Sequence, residues 1–323
     1  MMKKLFSISI VVMFLFSLTG AAFALEIKFA HVVNEKDAFH VAAEKFKEIM
    51  EKNSNGEITV TIYPNAKLGD ERTLLERMKM GIVDSAIITT GPIINFVPSY
   101  GVIDLPFLFR DPDHAYKVLD GSIGQKLLAE VESQGWKGLA FGERGFRNLT
   151  NSKRKVVTPE DIKGLKIRVM QNPVYVDSFM ALGANAVPMA WTEVLTALQQ
   201  GTVDGQENPL NVIMAFKLYE MQKYLSLSRH AYAPAAILMS MNAWKKLTPA
   251  QQTLAKNAAQ GAAEFERDWD NKMEAGWLKD LESKGVVVSN PDLKRFREAV
   301  KPVYDKYTPK YGKDMIESIL NTK

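Results

Sequence analysis

Apolar and polar residues alternate from Leu25 to Ala30, the period-two pattern of a half-buried strand. The period then changes. Phe39, Ala42, Ala43, Phe46, Ile49 and Met50 recur at three-and-four spacing, which predicts a helix over 38–52 ended by Asn55-Gly56. A second strand is expected from Ile58 to Tyr63, closed by Pro64. Asp70 then caps a helix carrying Leu74, Leu75 and Met78, which stops at Gly81 before an apolar strand from Val83 to Ile88. The order is βαβαβ.

The same order returns further along. Leu165 to Val169 reads as a strand, Val174 to Leu182 as a helix stopped by Gly183, and Ala184 to Met189 as a strand. Thr192 to Gln200 is a helix stopped by Gly201, with Val203-Asp204 opening another strand. Leu75 to Asp84 and Leu195 to Asp204 superpose as helix, glycine and Val-Asp, which marks an architectural repeat. Each half is expected to form a mixed, mostly parallel sheet flanked by helices, in a two-domain α/β arrangement with ligands at the strand ends in the cleft between halves. Ala233 to Asn242 reads as a crossover strand. The Thr248-Pro249-Ala250-Gln251 capping box starts a helix running to about Leu281, roughly 50 Å long at 1.5 Å per residue, so it should lie along both domains. Val286 to Val288 is a last short strand, and an amphipathic helical tail follows Pro291.

The amino-terminal segment belongs to a different class. Lys3 and Lys4 precede a mostly apolar run from Leu5 to Leu18, and Ala22-Phe23-Ala24 is a small-x-small cleavage site. Residues 1–24 are therefore expected to be a secretory signal peptide cut after Ala24, the run being shorter than a bilayer span. The 323 residues carry a net charge of +4, two of the lysines lie in that signal, and acidic residues interleave with basic ones elsewhere. No stripe suited to nucleic acid appears. The chain has no cysteine, so disulfides and thiol chemistry are excluded.

Nucleophile elbows, phosphate-binding loops, dinucleotide fingerprints and zinc-protease motifs are missing from the sequence, and its four histidines share no metal-ligand spacing. Neither a metal nor a cofactor is expected. Arg168 stands out because it lies in an apolar strand, where an unpaired guanidinium is costly to bury. Its partner is either an internal Asp or Glu or the carboxylate of a ligand. Arg147, in Gly145-Phe146-Arg147-Asn148, reads either as a solvated loop arginine or as a second cation of the site. Gly205-Gln206-Glu207-Asn208-Pro209 is expected after a strand beginning at Val203, presenting amides and a carboxylate at its end. Trp191 opens a helix, His31 follows the first strand, and Glu71 lies in the first turn after Asp70.

Taken in order, Tyr63-Pro64, Leu68-Gly69-Asp70, Asp104-Leu105-Pro106-Phe107, Gly145-Phe146-Arg147 and Lys163-Gly164-Leu165-Lys166-Ile167-Arg168 resemble the DctP-type solute-binding proteins of TRAP transporters. Ala190-Trp191-Thr192-Glu193-Val194 and Val203 to Pro209 continue the resemblance, which runs from Ile27 to about Tyr307. It implies a periplasmic, non-enzymatic receptor with the two-domain periplasmic binding protein (Venus flytrap) fold, delivering an organic acid to membrane permease subunits; a monomer is the simpler expectation. The implied division is 25–146 with about 234–274, and 147–233 with about 275–323. It also implies that Arg168 forms a two-pronged salt bridge with the ligand carboxylate, helped by Arg147 and Asn208. Trp191 stands where relatives usually have phenylalanine. Glu71, His31 and Thr89 match positions that read the far end of the ligand, and the neutral Thr89 with the amide of Asn172 leans toward hydroxylated acids. C4-dicarboxylates, sugar acids and larger organic acids all fit. The alternatives are a similar receptor for an ATP-driven permease or sensor, and an exported hydrolase or lyase using Glu207 with His31 or His230.

Overall fold

The computed structural model describes residues 24–323, so the expected signal segment lies almost wholly outside the described residues. The first half starts with β1 (Leu25–Ala30), α1 (Ala38–Asn53), β2 (Ile58–Tyr63), α2 (Glu71–Lys79) and β3 (Ser85–Thr89). Asp37 caps α1 by accepting from the Phe39 amide, and Asp70 caps α2 by accepting from Thr73. In α1 the buried positions Phe39, Ala42, Ala43, Phe46 and Met50 follow the helical period read from the sequence. After β4 (Trp136–Asn151) the second half repeats the plan with β5 (Lys166–Val169), α3 (Pro173–Ala181), β6 (Asn185–Pro188), α4 (Trp191–Gln199) and β7 (Gly205–Asn208).

The repeat holds at the level of single hydrogen bonds. Asp84 Oδ2 accepts from the Lys28 amide at 2.9 Å, and Asp204 Oδ2 accepts from the Lys166 amide at 2.9 Å. Each aspartate thus ties its own strand to the neighbouring one, Asp84 reaching Lys28 within β1 and Asp204 reaching Lys166, the first residue of β5. Pairing of its own strand begins only one residue later, which is why β3 and β7 start at Ser85 and Gly205 rather than at the valines.

Two long strands join the halves. β4 and β8 (Tyr224–Ser240) run antiparallel through the middle of one sheet with the order β2-β1-β3-β8-β4-β7-β5-β6, and β9 (Val287–Ser289) pairs with β8. Strands β2, β1 and β3 are parallel, as are β6, β5 and β7, while the central contacts are antiparallel. The strand expected at Ala233–Asn242 is the carboxyl part of a strand of 17 residues that ends at Ser240, with Met241 and Asn242 opening a short helix, and its amino part is too polar to read as an apolar run. Likewise Gly145 to Asn151 is the end of a strand of 16 residues rather than a loop. The β4 ladder shifts register at Glu143/Gly145, where Gly145 has φ 100°, a conformation that disfavours any side chain.

Helix α5 (Pro249–Ser283) spans both cores, as its length requires. Its Ala255, Ala258, Ala259, Ala262 and Ala263 are fully buried in the first core, and Trp277 and Leu281 lie in the second. Small residues at this spacing let α1 approach α5 closely, while the waist between the cores is polar, with Glu266, Arg267 and Asp270 buried. The tail forms α6 (Leu293–Ala299), α7 (Lys301–Tyr311) and α8 (Lys313–Asn321). It touches both halves: Tyr307 Oη donates to Asp177 on α3 at 2.7 Å, Tyr304 Oη donates to Pro106 O at 2.9 Å, and His114 Nε2 lies 2.8 Å from Ile319 O.

Candidate ligand cleft

The carboxyl ends of the parallel strands face one another across a small cavity between the halves. It is lined by Val32, Glu71, Thr89 and Arg144 from one side and Arg147, Arg168, Met170, Trp191 and Asn208 from the other. Six of the eight residues singled out from the sequence meet there. His31 and Asn172 do not line it. His31 is fully buried beside it, with Nε2 3.1 Å from His40 Nδ1. Burial, reinforced by the neighbouring His40, pulls its pKa down to about 4, so the ring is neutral at pH 7. Asn172 caps α3 and turns its amide nitrogen toward Gly91 of the first half.

Three guanidiniums enter the cavity, and their partners differ. Arg147 is 1% exposed, which overturns the solvated-loop reading, and its Nε and Nη2 grip both carboxylate oxygens of Glu207. Burial opposes both charges, but the pair outweighs it: Arg147 is raised, and Glu207 is held below its ordinary range. Arg144 donates to Asp37 and stacks at 4.2 Å over Phe39. Arg168 has no carboxylate within salt-bridge distance; its Nε and Nη2 converge on Met189 O at 3.1 and 2.7 Å. Burial first, and then the repulsion of Arg147, pulls its pKa down to about 10, so it stays charged at pH 7. Of the two partners that the sequence left open for Arg168, the internal acidic one is therefore absent among the described residues.

Glu71, at the start of α2, accepts from the Thr89 amide at 2.7 Å, and burial raises its pKa. Asn208 donates to Gln206 Oε1 from within β7. The segment 205–208 is thus the buried strand itself rather than a strand-end loop, because β4 and β5 flank it and supply polar partners. Trp191 packs edge-on against Phe216 at 4.8 Å, with the Arg168 guanidinium 5.8 Å from its ring. Sequence reading missed Arg144. The available signal was Gly145, whose positive φ shapes the bulge that places Arg144 at the cavity. Glu207 also lies 3.2 Å from His230, but Arg147 already engages both of its oxygens, which removes it from the acid–base role that the hydrolase reading requires. Among the described residues, no group of His, Asp and Glu has the geometry to hold a metal ion.

Two lobes sharing long crossover strands, with a buried cation between them, have the architecture of a solute receptor. The chain belongs to the bacterial extracellular solute-binding proteins of family 7 (DctP), whose family description matches residues 29–310. That family works in the periplasm with TRAP-type membrane permeases. A solved TRAP periplasmic solute-binding protein from Polaromonas sp. JS666, bound to D-erythronate, is similar with a TM-score of 0.91 and 40% identity, covering 93% of this chain and 99% of that one. The sugar acid binding protein of Advenella mimigardefordensis, in complex with galactonate, gives a TM-score of 0.89 and 37% identity, covering 93% and 97%. The 2,3-diketo-L-gulonate-binding periplasmic protein YiaO of Escherichia coli is 33% identical over 306 residues, 93% of each chain.

Proposed function

We propose that this receptor binds a hydroxylated monocarboxylate of the aldonic or uronic acid type and delivers it to the membrane subunits of a TRAP transporter. The observation that carries the reading is Arg168, a buried cation whose protein partner is a carbonyl and not a carboxylate. A bidentate ligand carboxylate matches its fork. Asp37 and Glu207 already neutralise Arg144 and Arg147, so Arg168 is the cation left to meet a single ligand carboxylate. Glu71 opposes a second carboxylate and suits a hydroxyl donor instead, which argues against a C4-dicarboxylate. The ligands of the relatives from Polaromonas and Advenella, both sugar acids, support the same class.

In this reading Arg168, Arg147 and Asn208 hold the head group, Trp191 walls the pocket, and Glu71 and Thr89 read the far end with Arg144. His31 supports Arg144 and Asp37 from behind. The two units, 25–146 with about 234–274 and 147–233 with about 275–323, close on the solute about β4, β8 and α5, and the tail helices strap them together. Closure favours the bound state because the solute touches both units only when they meet. The mature monomer begins after Ala24.

A thermal-shift screen of sugar acids against C4-dicarboxylates tests this. At 100 times its dissociation constant, a true ligand stabilises the protein by about 2.7 kcal/mol. Stabilisation by succinate or malate, with none by hexonates, hexuronates or tetronates, would reject the class.

A further inference from the structure

Asn172, expected at the solute, instead joins the two halves behind the cavity. Its Oδ1 accepts from the Val174 amide at 2.8 Å and so caps α3. Its two Nδ2 protons go to the other half, one to Gly91 O at 3.0 Å and one to Asp104 Oδ2 at 2.7 Å. Asn172 is 1% exposed and Asp104 2%, so water does not compete for either bond. The backbone approach is close: a Cβ on Gly91 would lie 2.7 Å from Met170 Cε and 3.6 Å from Asn172 Nδ2. Beside it, Asn95 Nδ2 donates to Gln171 O at 2.8 Å across the same junction. Gly91, Asp104 and Asn172 all lie outside the ring of residues that lines the Arg168 cavity.

We propose that Asn172 is a positioning residue for solute binding: an interlobe clasp that, through Gly91 and Asp104, holds the closed state and sets affinity without touching the solute. The proposal rests on the lobe closure described above. One amide does two tasks, ordering α3 with its oxygen and reaching across with its nitrogen, so the helix that follows Arg168 and Met170 is tied to the opposite half. When the lobes part, both bonds break, and the carboxylate of Asp104 loses its one side-chain donor. Asp104 Oδ1 and the Tyr175 hydroxyl have no partner in this arrangement, so at Asp104 the bond from Asn172 is the side-chain contact that offsets the burial of its carboxyl group. If the closed population falls, apparent affinity falls by the same factor.

The test separates the two tasks. In Asn172→Ser the hydroxyl still caps α3, but the reach to Gly91 and Asp104 is lost. Affinities for D-galactonate, D-glucuronate and D-erythronate are measured by calorimetry. Spin labels at Met80→Cys and Met180→Cys, exposed sites on opposite halves of a chain without cysteine, report the interlobe distance. Affinity is expected to fall about tenfold for every acid that binds the parent, with the order of preference kept and the distances shifted longer. Asp104→Asn, whose amide oxygen still accepts, is expected to stay within about threefold. Unchanged affinities and distances in Asn172→Ser would overturn the proposal, and so would a changed order of preference, which would mean contact with the solute. If Asn172→Ser does not fold, Asp104→Leu carries the same expectations. If no acid binds the parent, the sugar-acid reading fails by itself, and the distances still decide the clasp.

Discussion

Arg147 and Glu207, on the adjacent strands β4 and β7, form a buried two-pronged ion pair, while Arg168, on the next strand, faces the cavity with Met189 O as its one hydrogen-bond partner among the described residues. Two arginines of similar burial therefore have different work. Removing either should separate binding from folding.

For Arg168→Ala, binding is expected to weaken by about 2–5 kcal/mol, the range for removing one partner of a desolvated charge pair. Folding stability should hold or rise, since an uncompensated buried charge is removed. Calorimetry with the acid found in the screen, together with a thermal melt, checks both parts. Unchanged affinity would refute the role of Arg168.

Arg147→Ala should act chiefly on the fold. It leaves Glu207 buried with His230 as its remaining side-chain partner, and breaking such a pair costs about 3–5 kcal/mol. Urea denaturation of the ligand-free protein measures this. A stability within 1 kcal/mol of the parent, on the order of ordinary surface substitutions, would contradict the geometry.

Glu71→Gln tests the discrimination against a second carboxylate. An ionised Glu71 repels another negative charge, and its neutral isostere does not. The ratio of affinities for succinate and galactonate should shift toward succinate by about tenfold, close to 1.4 kcal/mol. A ratio unmoved by the substitution would show that Glu71 does not face the far end of the solute.

Stability should decline as pH rises from about 5 to 8. Burial raises the folded-state pKa of Glu143 to about 7, above its ordinary value of 4.5, and Asp104 rises to about 7 for the same reason. A carboxyl with a raised folded pKa contributes stability that is complete below its unfolded pKa and is lost as pH climbs through the folded one. Glu143→Gln should flatten part of this slope. A melting temperature that rises between pH 5 and pH 8 would oppose the assignment.

The repeat, the caps and the long helix were legible in the residues because they rest on local rules. Asp70 and Thr248 stand at helix starts, Gly81 and Gly201 at stops, and three-and-four spacing marks the faces of α1 and α5, whereas the Asp37 cap of α1 emerged only in the fold. Arg168 was legible because a guanidinium in an apolar strand demands an anion. Local pattern could not separate Arg147 from Arg168, place Arg144 in the cavity or send Asn172 to the opposite half. Those outcomes depend on which strands become neighbours. Pairing between β4 and β7, whose residues lie some 60 positions apart, brings Glu207 to Arg147 and leaves Arg168 facing the cavity with Met189 O as its hydrogen-bond partner. Periodicity records how each residue faces its own element, whereas the partner of a buried charge is settled only when distant segments close around it, since pairing and desolvation act on whatever groups then share that space.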